Sequence, residues 1–365
     1  MLHIGGTPLP VIGRARMYIC GITPYDTTHL GHAATFVWSD VAVRVLRHLG
    51  VEVDVCRNVT DVDDVLEAAA ARAGARFDSY AAVQQFRFDR DMAALGVRRP
   101  THEPRAHVHI PQVITLAAAL LENGAAYLRD GTVWFRGAGV PERAGLDPDT
   151  ARELAAEFGD TEGPDGREHP ADVVLWRAAV PGEPAWPSPW GEGRPGWHAE
   201  CAAMSLTTFG PALDLHAGGA DLRFPHHAYE SAMAEAVTGV RPFARAWLHV
   251  GTVLVDGQKM AKSAGNLVLV SEVLESVPAA ALRLLLVDRP WAQAWDYRPE
   301  DLDAAGTRLE RLYAAAARGA EDDAAVAAVD AAFQNDLDVP RALGVAEEAG
   351  GAAARVALTV LGLGG

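Results

Sequence analysis

Residues 14–59 read RARMYICGITPYDTTHLGHAATFVWSDVAVRVLRHLGVEVDVCRNV. Arg14–Thr23 is rich in apolar residues and predicts a strand, and Thr28–Gly31 a turn. Ala33–Leu49 has helical periodicity, and Val51–Val59 predicts a second strand. Strand, glycine-containing turn, helix and strand open a doubly wound parallel sheet. Ligands of such sheets bind at the carboxyl ends of the strands, so Ile19–His32 is the first place to look for chemistry.

The chain has 365 residues, room for one large core domain and a smaller one. Nothing approaches the ~20 consecutive apolar residues of a membrane-spanning helix. Met1–Arg16 has no charged start followed by an apolar run, so no signal peptide is expected and a cytoplasmic protein is. Three cysteines, Cys20, Cys56 and Cys201, do not make a disulfide framework. Cys56, in a strand-like run, reads as a buried thiol. A formal net charge of −16 disfavours a nucleic-acid partner, because phosphate neutralisation supplies most of the non-specific affinity of such proteins.

From about Asp61 to Asn123 the pattern is helical and reads as an insertion. Gly124–Gly137 predicts a hairpin with Ala126–Leu128 and Thr132–Arg136 as its strands. Asp160–Pro170 reads as a loop, and the proline- and glycine-rich Pro181–Gly196 as a long irregular segment. Strand patterns resume at Leu213–His216 and Trp247–Val255. From Ser271 the chain is mostly helical, ending in an alanine-rich tail without an internal repeat.

Three constellations carry chemistry. Thr28-His29-Leu30-Gly31-His32 lies where a strand hands over to a helix. A helix N-terminus favours phosphate, glycine permits close backbone approach, and imidazoles can donate to developing phosphate charge. The same letters also suit a helix cap with two surface histidines. Lys259-Met260-Ala261-Lys262-Ser263 follows a strand and could form a cationic clamp for pyrophosphate, or a solvated basic turn. Cys20, Cys201, His226 and Glu230 offer two thiolates, an imidazole and a carboxylate, a set suited to tetrahedral Zn²⁺. His226 and Glu230, four apart, share a helix face. No C-x-x-C pair supports this set, and each cysteine could equally be a core thiol.

Together, His29–His32 and Lys259–Ser263 resemble the HIGH and KMSKS signatures of class I aminoacyl-tRNA synthetases, with Ala261 where a serine is usual. Cys20, the Gly196-Trp197-His198-Ala199-Glu200-Cys201 segment and the Phe224-Pro225-His226-His227…Glu230 segment resemble the zinc-binding elements of cysteinyl-tRNA synthetases. Asn58–Asp64, Pro104-Arg105-Ala106 with His109-Ile110, Gly218-Gly219-Ala220-Asp221-Leu222 and Asp336–Pro340 resemble further family segments. For Asp63 and Asp64 a direct role and a helix-start role stand side by side.

The resemblance implies an α/β, Rossmann-like doubly wound fold with a helical insertion at about 61–195, within a catalytic domain of residues 1–285. Residues 286–365 would form a truncated helical domain without an anticodon-binding domain. It implies ATP-dependent formation of cysteinyl-adenylate with Mg²⁺-bound ATP, catalysed by His29, His32, Lys259 and Lys262. Thr28, Gly31, Gly218, Gly219, Asp221, Met260 and Ser263 would join the lysines in holding ATP. Gly21, Thr23, Tyr25 and Trp197 would seat L-cysteine. Cys20, Cys201, His226 and Glu230 would hold zinc, which separates cysteine from serine without editing.

Two branches fit: the tRNA-charging enzymes and the shorter mycothiol ligases, which join cysteine to glucosaminyl-inositol. Cys20–Asp26, His29–Thr35, Ala185–Pro189 and Asn266–Ser271 resemble the ligase. Glu230, His216 and Pro104–Ala106 resemble the synthetase. The expectation is a small-molecule amine acceptor, with tRNA or a further acceptor second and an inactive binding relative third.

Overall fold

The computed structural model describes residues 1–25, 28–158, 166–261 and 264–364. Its centre is a parallel sheet of four strands in the spatial order Ala244–Val250, Leu213–Gly219, Arg14–Ile22, Glu52–Val59. The strand Arg14–Ile22 pairs on one side with Glu52–Val59 and on the other with Leu213–Gly219, placing Tyr18 opposite His216. The chain builds outward in one direction and then returns to build in the other. The crevice between the carboxyl ends of Arg14–Ile22 and Leu213–Gly219 is therefore the topological switch point.

Alternation along each strand sorts side chains to two faces. Ala15, Met17 and Ile19 face one buried cluster with Val53, Val55, Leu215 and Leu248. That face is covered by the helices Leu30–His48 and Ala279–Val287 and by the C-terminal helices Glu300–Ala316, Asp323–Gln334, Val339–Ala349 and Gly351–Leu361. Tyr18, Cys20 and Cys56 face the other cluster. It is covered by the helices Ile110–Glu122, Trp197–Phe209 and His226–Thr238 and by an antiparallel sheet, Ala126–Arg129, Thr132–Phe135, Val173–Ala178 and Gly193–Pro195. Burial on both faces is what a parallel sheet requires, and it is why these strands read as apolar runs. The fold, α/β with a parallel sheet and a helical C-terminal region, is the one expected.

Three expectations change. The helix predicted from Ala33 begins at Leu30, because His29 caps it through its side chain. The run Trp247–Val255 is two strands. Ala244–Val250 ends in the main sheet, and Val253–Val255 joins Gln258–Lys259 and Trp295–Asp296 in a separate three-stranded sheet. Gly251 marks the break: a Cβ there would lie 2.2 Å from the Gln293 carbonyl oxygen. Pro181–Gly196 is irregular only as far as Glu192, since Gly193–Pro195 pairs with Val173–Ala178. The predicted loop Asp160–Pro170 lies mostly outside the described residues.

Candidate active site and metal centre

His29 is extended (φ −104°, ψ 171°) and its Nδ1 accepts the Gly31 N–H at 3.1 Å. This satisfies one of the free donors of the helix start. The capping and catalytic readings of this histidine are thus compatible, and its ring lies 3.9 Å, centroid to centroid, from that of His32. Gly31 is needed for that cap, because a Cβ there would sit 2.9 Å from the His29 ring.

The segments His29–His32 and Lys259–Asn266 are stitched together by backbone. Leu30 N–H donates to Val268 O, and Val270 N–H to the carbonyl of buried Thr28, each at 3.0 Å; His29 and Leu269 form an antiparallel bridge. Asn266 brackets the lysine loop, accepting from Ala261 N at 2.9 Å and donating to Lys259 O at 3.3 Å. Met260 is buried in the core. Lys259 pairs with Asp221 at 2.6 Å. Gly218 and Gly219 allow this end of the strand to pass its neighbours: added Cβ atoms would lie 2.7 Å from His227 and 2.4 Å from Asp221. Lys262 and Ser263 lie outside the described residues.

At the same crevice, buried donors converge. Ligand atoms of Cys20, Cys201 and His226 lie within 4.8 Å of one another, and so do those of Cys20, His216, His227 and Glu230. Cys20 is common to both groups. The four expected ligands therefore do not form a single group. Cys201 and His226 stand with Cys20 on one side, while Glu230 stands with Cys20, His216 and His227 on the other. The Cys20 thiol donates to Glu230 at 3.7 Å, and His216 Nε2 is 3.0 Å from the same oxygen, Oε2.

His216 and His227 were not among the expected ligands. His216 faces this side because strand alternation puts it in register with Tyr18, and the doubled histidine beside Pro225 was the available signal for His227. Around them, Asn58 donates to Cys201 Sγ at 3.3 Å and accepts from Gly21 N at 2.8 Å. The nearest ring nitrogens of His198 and His226 are 2.9 Å apart, and those of His227 and His249 2.8 Å. Trp197 stacks on His226 at 4.2 Å and Trp247 on His216 at 4.6 Å.

Burial governs the electrostatics. It pushes the Cys20 thiol well up, reinforced by the hydrogen bond and charge of Cys201 and by Glu230. Burial drives His226 well down, helped by His198 and His216, and takes His198 and His249 to about 3. Without a cation, burial favours the neutral forms of Cys20, His198, His226 and His249. Glu230 Oε1, His216 Nδ1 and His227 Nε2 are buried with no hydrogen-bond partner. Orphaned acceptors beside two thiols fit a thiophilic divalent ion, which would also draw the thiols to thiolates.

The residues expected to seat the amino acid border this cluster. A Cβ on Gly21 would lie 1.7 Å from the Asn58 carbonyl oxygen, so only glycine fits. Thr23 and Thr60 share a 2.9 Å hydroxyl hydrogen bond, Tyr25 N donates to Thr23 O at 2.9 Å, and Tyr80 donates to Tyr25 O at 3.1 Å. Asp63 caps the helix Asp64–Arg72, accepting from Val65 and Leu66, while Asp64 pairs with Arg194 at 2.9 Å and Arg177 at 3.1 Å. The helix-start reading accounts for Asp63, while Asp64 is held by its two arginines.

A parallel sheet with two such segments stitched together at its switch point is the architecture of a nucleotide-binding catalytic domain. The family described as tRNA synthetases class I (C) catalytic domain matches residues 10–307, and the chain belongs to it. Relatives of two kinds match the chain. A cysteine–tRNA ligase of Alkalilimnicola ehrlichii is 44% identical over 346 residues, spanning 91% of this chain and 73% of that protein. An L-cysteine:1D-myo-inositol 2-amino-2-deoxy-alpha-D-glucopyranoside ligase of Mycobacterium marinum is 46% identical over 344 residues, spanning 90% and 82%. Methionyl-tRNA synthetase of Mycobacterium tuberculosis in complex with methionyl-adenylate shares the fold, with a TM-score of 0.61 at 18% identity over 96% of this chain and 82% of that one. No helix among the described residues is long and apolar enough to cross a membrane.

Proposed function

We propose that this chain is an ATP-dependent, AMP-forming ligase that activates L-cysteine and transfers it to a small-molecule amine of the glucosaminyl-inositol kind. Residues 1–285 would carry the chemistry and 286–365 would support it, in the cytoplasm. The observation that carries the reading is the convergence of Cys20, Cys201, His226, Glu230 and His216 at the switch point, beside the stitched His29–His32 and Lys259–Asn266 segments.

Cys20, Cys201 and His226 would hold zinc, and Glu230, which stands with Cys20, His216 and His227, would have to turn toward Cys201 and His226 to complete the set. A bound zinc ion selects a substrate thiolate over a hydroxyl. The chain's own residues do the rest. Trp197 and the Thr23–Thr60 pair wall the amino-acid site, and Gly21 lets the substrate approach the backbone. His29, His32, Lys259 and Lys262 neutralise the phosphates of Mg²⁺-bound ATP as the cysteine carboxylate attacks the α-phosphorus. Thr28, Gly31 and Met260 fix that geometry, with Ser263 beside Lys262. Asp221 leaves Lys259 to accept from the ribose hydroxyls, beside Gly218 and Gly219.

The small-amine acceptor is supported by the ligase-like Cys20–Asp26 and His29–Thr35 segments and by the net charge of −16. A tRNA acceptor is the second reading, favoured by Glu230, His216 and the Pro104-Arg105-Ala106 segment. Cysteine-dependent ATP–pyrophosphate exchange should be present in the zinc-loaded protein, and its absence would sink the activation step. Supplying glucosaminyl-inositol and tRNA separately should show AMP release with the former. Charging of tRNA alone would reverse the choice of acceptor.

A further inference from the structure

The Asn58–Asp64 and Pro104–Ile110 segments contain a pair that the activation step does not use. Asp61 is 1% exposed and accepts twice from His107: from its backbone N–H at 3.0 Å and from Nδ1 at 2.6 Å. Arg105 Nη1 stands 3.6 Å from the same carboxylate. With Nδ1 turned to the carboxylate, Nε2 is the ring nitrogen left to exchange a proton. The imidazole is about one-third exposed (36%), in contrast to buried His216, His226 and His227. Those three are engaged with Glu230, His198 and His249 respectively.

The pair sits at the end of the sheet that bears the site. Val59 N–H donates to Pro104 O at 2.9 Å and Val59 bridges Arg105, which lays residues 104–107 along the carboxyl end of Glu52–Val59. Asp61 follows Thr60, the residue bonded to Thr23. The short turn Ala106–Val108 packs on the helix Trp197–Phe209 that carries Cys201. A buried carboxylate that orients an accessible imidazole is the arrangement of a general base.

We propose that His107, oriented by Asp61, is the general base of the transfer step. The proposal rests on the amine-acceptor reading above. The amine nitrogen attacks the carbonyl carbon of cysteinyl-adenylate and forms the C–N bond. The bond from that carbon to the phosphate oxygen breaks, and its electron pair leaves with AMP. The proton lost by the amine passes to His107 Nε2.

The test uses the zinc-loaded full chain and its His107→Ala and His107→Gln variants. Cysteine-dependent ATP–pyrophosphate exchange reports activation alone. Single-turnover transfer from preformed cysteinyl-adenylate is then measured to glucosaminyl-inositol and to hydroxylamine, a nucleophile basic enough to react yet acidic enough to need little help. Exchange should change by less than about twofold, transfer to glucosaminyl-inositol should fall by about 10²-fold, and transfer to hydroxylamine should be nearly retained. Unchanged transfer to glucosaminyl-inositol in both variants overturns the role of His107. So does an equal fall with both nucleophiles, which would mark a structural effect. If the unsubstituted chain exchanges but does not acylate glucosaminyl-inositol, it is the acceptor reading that fails instead.

Discussion

The thiol–imidazole cluster and the lysine loop lie at the same end of one sheet and are held in opposite ways. In the cluster every donor is buried, and its geometry is set by packing: strand alternation for Cys20 and His216, one helix for Cys201 and another for His226, His227 and Glu230. The loop is held by a few backbone bonds, and its Lys259–Asp221 pair is half to one-third exposed (50% and 34%). A pair in that setting is screened by solvent and contributes little, so nucleotide can replace it at small cost. Under the proposed function, selection would rest on a rigid, dehydrated site and phosphate handling on an adaptable one. This matches what each must do, since a metal site needs fixed donors and a leaving pyrophosphate needs charges that follow it.

The comparison breaks most sharply at Cys201. Cys201→Ala should remove metal, read by metal content after dialysis, and abolish cysteine-dependent exchange. Cysteine activation by a metal-free variant would refute thiol selection. Lys259→Ala should slow exchange by about 10²–10³-fold with metal content unchanged, as for loss of one preorganised donor to transition-state charge. A parallel loss of metal would erase the distinction between the two regions. Asn58→Ala removes the hydrogen bond to Cys201 and should weaken metal binding about 10–100-fold in a chelator competition. The smallest effect is again at Lys259: Lys259→Ala should change unfolding free energy by no more than about 1 kcal/mol in denaturant melts.

Both regions were visible in the sequence to different depths. The strand, turn, helix and strand of residues 14–59 were readable because apolar periodicity reports burial directly. The helix start was misjudged by three residues because a histidine, a weak capping type, does the capping at His29. The split of Trp247–Val255 was hidden because the reason for it, the approach of Gln293 to Gly251, comes from 42 residues further along the chain. In the cluster, Cys20, Cys201, His226 and Glu230 could be named by resemblance. His216 could not be added, nor could Glu230 be assigned to its side, because the Cys20–Glu230 and His216–Glu230 contacts cross between strands and a helix, whereas His227, three residues before Glu230 on one helix, left a signal that went unused.

The sequence by itself determined the parallel α/β architecture, the order of the His29–His32 and Lys259–Ser263 segments and the residue types able to bind a thiophilic metal. These are properties of local patterns: periodicity, glycine placement and donor chemistry. Tertiary structure alone decided that Cys20 joins two donor groups, that Lys259 rests on Asp221, and that Asp61 orients His107. Each of these joins segments that the chain separates widely, and only sheet register and helix packing bring their side chains within bonding distance.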